Sequence, residues 1–336
     1  MARYGCDTFQ GNFMPKVETL LLLNKDQVEV LLTPEDVILA VREAFLFHHD
    51  RKGRLFPVVR ERLATGGIFG IKSGDVEEKD LLGFKAAGFW PNNRGIGSEP
   101  HQATILLFDP HTGRPECVID GNAVTTMRTG AAGALGLEAL ARPDSATLCV
   151  FGTGVQGQIQ TRFALDVLPS LRSVKYVPST GNRVPAFESL FASRCDIQLA
   201  TNVNTAVAGS DVVITATPGR NVLFDADAVC AGTHISCVGA DTRGKRELPA
   251  GLLERANVYV DDATQSVEIG ELQWAPTVAR TEFGDVVANG LSAPRAQDEI
   301  TIFDLTGLAL QDLTVARMLR RAAREAGIGT TVGWPW

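Results

Sequence analysis

The chain has no surplus of positive charge: 32 Lys and Arg stand against 39 Asp and Glu in 336 residues, a formal net charge of −7 at pH 7. Nucleic-acid affinity comes mainly from neutralised phosphates, so that class of partner is not expected. A small anionic substrate would have to be held by a few local Arg and Lys side chains in a concave site. Cysteine pairs at metal-ligand or redox spacing are also missing. Cys6, Cys117, Cys149, Cys195, Cys230 and Cys237 are scattered, as small buried hydrophobes of a reducing compartment would be. The five histidines, His48, His49, His101, His111 and His234, show no ligand spacing either, and no metal is expected. Long apolar runs are absent. Thr19 to Leu23 is too short for a signal-peptide core or a membrane span, so no membrane partner and a cytoplasmic location are expected. Internal repeats and low-complexity linkers are lacking too, and residues 1 to about 18 read as a loose or partner-clamped extension.

What remains is ordinary globular composition, 45% apolar and 21% charged, long enough for roughly two domains. Thr33-Pro34-Glu35-Asp36 combines a capping hydroxyl, a proline at the first helical position and acids in the first turn, so a helix of about four turns starts there. Strand-like runs follow at Phe56 to Arg62, Gly67 to Ser73, Leu81 to Trp90, Ala103 to Phe108 and Arg114 to Ile119. With no helices between them, antiparallel pairing is expected. From Gly121 an Ala- and Gly-rich helix reaches about Ala141. Beyond it strands alternate with helical patterns: Ala146 to Phe151, Val174 to Val177, Ile197 to Ala200, Asp211 to Thr217, His234 to Gly239 and Asn257 to Asp261. That alternation predicts a parallel sheet with crossovers on both faces. A last strand, Ile300 to Leu305, precedes a helix from Asp312 to Ala326, whose Arg317, Arg320, Arg321 and Arg324 read as a solvated face. The expected class is α/β: a doubly wound, Rossmann-type dinucleotide-binding domain over 131–305. An α+β antiparallel domain over 1–130 and 306–336 completes it, the final helix folding back onto it.

Gly152-Thr153-Gly154-Val155-Gln156-Gly157 fits G-x-G-x-x-G, directly after an apolar strand and before a helical pattern. In that context Gly152 allows the tight turn, Gly154 lets backbone approach a pyrophosphate, and the helix beginning near Val155 and Gln156 offers free N–H groups. The acid about 20 residues on that would read the ribose of NAD is missing. Ser179, Thr180 and Arg183 stand there instead, and they could accommodate a 2′-phosphate or simply face water. The cofactor is therefore NAD(H) or NADP(H), with the choice open.

Lys85 in Gly83-Phe84-Lys85-Ala86-Ala87-Gly88, Arg128 in Met127-Arg128-Thr129-Gly130-Ala131-Ala132, the glycine turn, and Gly239-Ala240-Asp241-Thr242-Arg243-Gly244-Lys245-Arg246-Glu247-Leu248 occur in that order. This ordered set resembles the ornithine cyclodeaminase and mu-crystallin family from about Leu20 to the last helix. The resemblance implies that Arg60, Lys85 and Arg128 bind a substrate carboxylate and that Asp241 is the catalytic acid, with Lys85 also supplying a proton. It implies that Thr129, Thr217, Val238, Gly239, Thr306 and Gly307 join the glycine turn around the cofactor, and that the protein is a homodimer. Asn93 and His101, with Asn92 and Gln102, are candidates to read the far end of the substrate. The expected activity is NAD(P)H-dependent reduction of a small imino acid, in its sharpest form iminosuccinate to aspartate. Two alternatives stay open: an ornithine or lysine cyclodeaminase or cyclic ketimine reductase, with Glu61 and Glu99 as candidate acids for a distal amine, and a non-catalytic NADP-binding protein.

Overall fold

The computed structural model describes residues 19–292 and 294–334. The extension before Thr19, including Cys6, lies outside the described residues. The strand and helix periodicities sort the chain into two eight-stranded sheets.

The first sheet contains β1 (Thr19–Leu23), β2 (Gly53–Leu55), β3 (Val59–Arg62), β4 (Ile68–Val76), β5 (Leu81–Phe89), β6 (His101–Phe108), β7 (Pro115–Asp120) and β16 (Thr330–Gly333). Its order is β16-β1-β7-β6-β5-β4-β2, with β3 also on β4. The expected antiparallel pairing holds from β2 to β7. It fails at β1, which lies parallel to β7. The reason is the intervening chain: β1 is followed by α1 (Lys25–Leu31) and α2 (Pro34–His49) before the meander begins. A long connection of this kind permits a parallel return. Alternation sets the faces; β4 reads as alternately half-buried and buried along its length.

Helices α2, α3 (Gly121–Leu140) and α9 (Ala309–Ala326) pack together and against this sheet. The predicted start of α2 is realised: the Thr33 hydroxyl accepts from the Asp36 N–H, and Pro34 is the first helical residue. Helix α9 returns to the sheet as expected, but its arginines do not form one solvated face. Arg317 pairs with Glu43 and Arg320 with Glu116, both half-buried, because the helix packs between α2 and the face of the sheet. Arg321, beside Glu325, and Arg324 do face water.

The second sheet is parallel throughout. Its strands are β8 (Thr147–Phe151), β9 (Ser173–Val177), β10 (Asp196–Leu199), β11 (Val212–Thr215), β12 (His234–Cys237), β13 (Asn257–Val260), β14 (Arg280–Glu282) and β15 (Thr301–Asp304). The order β10-β9-β8-β11-β12-β15-β13-β14 reverses direction between β8 and β11. That reversal opens a crevice at the carboxyl ends of those two strands, where doubly wound sheets hold ligands. Strands β8, β11, β12 and β15 are almost wholly buried and, apart from His234 and Asp304, read as apolar or small-residue runs, as expected of strands covered on both faces. The α/β class expected from the sequence is the class observed.

The two sheets share a core. Phe45 of α2 meets Phe283, the first residue of α8 (Phe283–Asn289), edge-on at 5.1 Å, and Phe283 meets Phe303 of β15 at 4.4 Å. Each such aromatic pair contributes about 1 kcal/mol beyond area burial. Helix α3 extends the junction, packing on α2 at one side and on α4 (Val155–Val167) at the other.

Candidate functional site

At the β8/β11 crevice the glycine turn has the shape a pyrophosphate requires. A Cβ on Gly157 would sit 1.9 Å from the Gly152 carbonyl oxygen, so only glycine lets the turn close against α4. A Cβ on Gly154 would meet nothing within 4 Å, which leaves open room at the mouth of the turn. Gly154 caps α4 without a side-chain hydrogen bond, so the first N–H groups of a 13-residue helix stay available. Val155 is exposed there, and the Gln156 Oε1 is buried without a partner. These features fit a dinucleotide phosphate.

Thr217 and Gly239, expected at the cofactor, are fixed by a residue to which the sequence reading gave no role. The Glu247 carboxylate accepts from the Thr217 N–H at 2.8 Å, the Thr217 hydroxyl at 2.7 Å and the Gly239 N–H at 3.0 Å. It thus holds the chain just beyond β11 and β12 in one position, with Val238 buried between. Ser179 and Thr180 lie exposed beyond β9. Arg183 is drawn away from them: its Nε and Nη2 donate to Glu188 of α5 (Pro185–Phe191) at 2.9 and 2.7 Å. Of the two roles left open for it, a 2′-phosphate partner or a side chain facing water, the guanidinium takes neither outright: it is exposed and paired with Glu188.

A cavity of about 290 Å³ lies between the sheets, lined by Arg60, Lys72, Lys85, His101, Arg128, Asp241 and Thr306, with Arg220 and Lys245 at its edge. A wider groove of about 820 Å³ between α2 and α9 holds none of the expected site residues. Arg60 comes from β3, Lys85 from β5 and Arg128 from α3, so three distant segments converge as expected. Lys85 and Arg128 meet on Asp312 in the first turn of α9. The Lys85 Nζ donates to Oδ1 at 2.7 Å, the Arg128 Nε donates to the same oxygen at 3.1 Å, and the Arg128 Nη1 donates to Gln311 at 3.1 Å. Asp312 is fully buried. Burial opposes its ionisation, but Arg128 and Lys85 outweigh burial and hold its carboxyl below the usual range. Burial pushes Lys85 down to about 7, which the Asp312 charge offsets only in part. Gly307 has φ +80°, and a Cβ there would lie 2.6 Å from the Arg128 Nη1, so glycine is needed for the guanidinium to pass.

Asp241 stands just after β12. Burial works against its charge, but Lys245 and Arg60 prevail and keep it well below the usual carboxylate range. Its Oδ1 accepts from the Lys245 Nζ at 2.7 Å and from the Thr242 hydroxyl at 3.1 Å. The Arg60 Nη2 donates to its backbone oxygen at 3.4 Å. Thr306 and Gly307 are held by Asp261, which accepts from the Thr306 hydroxyl at 2.6 Å and from the Gly307 N–H. The Thr129 hydroxyl donates to the Thr125 carbonyl at 2.7 Å.

His101 reaches the cavity, and burial, with Lys85 nearby, lowers its basicity. Asn93 does not reach it. Its amide donates to the Glu99 carbonyl at 3.0 Å and tightens the 3₁₀ turn Pro91–Ile96. Glu99 is taken by Lys25 and Asn122, and neither it nor Glu61 lines the cavity.

A family model for the ornithine cyclodeaminase/mu-crystallin family matches residues 18–327. The chain is 35% identical to an iminosuccinate reductase from Paracoccus denitrificans over 93% of this chain and 99% of that protein. It is 31% identical to an alanine dehydrogenase from Archaeoglobus fulgidus over 93% and 98%. The crystal structure of the Paracoccus reductase in complex with NAD+ superposes with a TM-score of 0.86, at 33% identity, over 94% of this chain and 99% of that one. The chain therefore belongs to the ornithine cyclodeaminase/mu-crystallin family.

Proposed function

We propose that the protein reduces a small imino acid to an amino acid with NADH or NADPH, and that the substrate is the dicarboxylic iminosuccinate, giving aspartate. One observation carries the choice of substrate. Among the described residues, six Lys and Arg side chains line the cavity against a single lining carboxylate, Asp241, with Asp312 buried behind. A walled site with such a surplus concentrates anions, and a dianion matches it better than a monoanion. A distal amine, as in ornithine or lysine, would need a second carboxylate, and Glu61 and Glu99 stand elsewhere.

The residues divide the task. Arg128 donates through Nε and Nη1 to Asp312 and Gln311, so its Nη2 remains to grip a substrate carboxylate together with Lys85 and Arg60. A guanidinium sets the plane of the carboxylate it holds and so the face of the adjacent carbon. Asp241 stays ionised. It serves as an acceptor through Oδ2 for the N–H of a protonated imine, rather than as the acid that the resemblance implies. Lys85, near neutrality in proton affinity, is the group able to release a proton at its Nζ and regain it. When bound, the reduced nicotinamide supplies hydride, and one proton from the medium balances the conversion of C=N to CH–NH. Homodimerisation through the first sheet and a cytoplasmic setting belong to this reading, as does the division at residues 130 and 305. The pairing of Arg183 with Glu188 favours NAD over NADP.

The test is consumption of NADH and of NADPH with oxaloacetate plus ammonia, pyruvate plus ammonia, and cyclic ketimines. Turnover is expected to be strongest with oxaloacetate plus ammonia. Turnover confined to cyclic ketimines contradicts the choice of substrate, and ammonia release from ornithine without net cofactor use contradicts the reduction.

A further inference from the structure

Lys72 is a buried cavity lysine to which the scheme above gives no task. It stands on β4 directly opposite Lys85 on β5, so the two side chains share a face of the sheet. Both are buried, Lys72 at 9% and Lys85 at 4% exposure. Like charges directly opposite on neighbouring strands destabilise a sheet, and a buried ammonium without a counter-charge is costly. Lys85 is relieved by Asp312. For Lys72 no ion-pair partner occurs among the described residues. Its Nζ donates to the backbone carbonyl oxygens of Thr306 at 2.8 Å and Gly307 at 2.7 Å. Two carbonyl dipoles orient an ammonium without neutralising it, and its third N–H remains free beside the cavity that Lys72 lines. The tethers differ: Lys85 and Arg128 share Asp312, whereas Lys72 is held by the carbonyls of the crossing between β15 and α9, where Gly307 also borders the Arg128 guanidinium.

We propose that Lys72 receives the second carboxylate of a dicarboxylic imino acid and so sets the preference of the site for a dianionic over a monoanionic substrate. This rests on the imine-reduction reading. Removing one member of a desolvated charge pair weakens recognition by about 100-fold, which fixes the size of the expected effect.

The direct test replaces Lys72 by Met, a side chain of similar length without charge, and compares kcat/KM for the imines formed from oxaloacetate and from pyruvate. The ratio of the two is expected to fall about 100-fold, mainly through KM for the dicarboxylic imine, and Lys72→Arg is expected to restore part of it. Equal losses on both imines overturn the proposal and leave imine reduction standing. An unmodified enzyme that reduces neither imine overturns the reduction reading and the proposal together. A second measurement needs no variant. Burial, with Arg60 and Arg128 nearby, lowers Lys72 to about 8, opposed by Asp241 and Asp261, so the ammonium is charged below that pH. Succinate is expected to inhibit better than propionate near neutrality, and its advantage to shrink about tenfold per pH unit above the lysine pKa. Titration of Lys85 affects both inhibitors alike and cancels in the ratio. An advantage that is absent, or that does not change with pH, overturns the proposal.

Discussion

Asp241 owes its charge to three cations that surround it, and the charge decides its role. With its carboxyl held well below the usual range by Lys245, Arg60 and Lys72, Asp241 in the proposed reaction accepts from the substrate nitrogen rather than donating to it. Asp241→Asn keeps the shape and removes the charge, so kcat is expected to drop by about 100-fold or more while the melting-temperature rise caused by NADH is retained. Unchanged kcat with oxaloacetate plus ammonia contradicts the role. The sequence made Asp241, Lys85 and Arg128 visible through motif order, but not their counter-charges. Asp312 reads there as an acid in the first turn of a helix, its commonest meaning, and its burial arises only when α9 folds back. Lys72 did carry a usable signal: a lysine inside a strand-like run must find a polar cavity or a partner. Asn93 and Arg183 show the converse, side chains of suitable chemistry captured by the nearby Glu99 carbonyl and Glu188.

Helix α2 joins the two sheets through residues on one face. Phe45 packs on Phe283, and one turn later the His48 Nε2 lies 3.1 Å from the Asp262 Oδ2 and 3.8 Å from the Glu282 Oε1. Asp262 caps α7 (Ala263–Ile269), and Glu282, which precedes α8, accepts from the Ala263 N–H at 3.2 Å. Burial lowers His48, but Asp262 and Glu282 outweigh it and raise it to about 9. A folded-state pKa above the unfolded value near 6.5 means that the stabilisation is complete below that value and is lost as pH rises through about 9. Between the limits for exposed and buried pairs, His48→Gln is expected to cost about 2 kcal/mol near pH 6. The gap in melting temperature from the unmodified protein should close by about pH 10; a gap that does not vary with pH contradicts the ion pair. Elements with strong local signals were legible: α2 from its cap, α3 from its composition, and the alternating strands and helices from their period. Those that depend on remote partners were not. Strand β16 is short and mostly exposed and is ordered by β1. Strand β14 is three residues long and pairs only with β13. Helix α1 had a readable capping box, Asn24 with Gln27, in a segment noticed only for its apolar run.

At the scale of the molecule, a sheet that carries cations faces the carboxyl ends of a sheet that carries a glycine turn, and α3 and α9 lock the two around one cavity. The sequence implied this meeting through family order alone, because no local pattern states which face of one sheet another will cover. Imine reduction requires the meeting to be productive, with hydride arriving at the carbon next to the carboxylate that the proposal assigns to Arg128. The most direct measurement is isotope transfer from 4-deuterated NADH, both faces labelled, to oxaloacetate plus ammonia, with the product analysed by mass spectrometry. The account predicts aspartate carrying one deuterium at Cα. Unlabelled aspartate, or deuterium found only in malate, contradicts it.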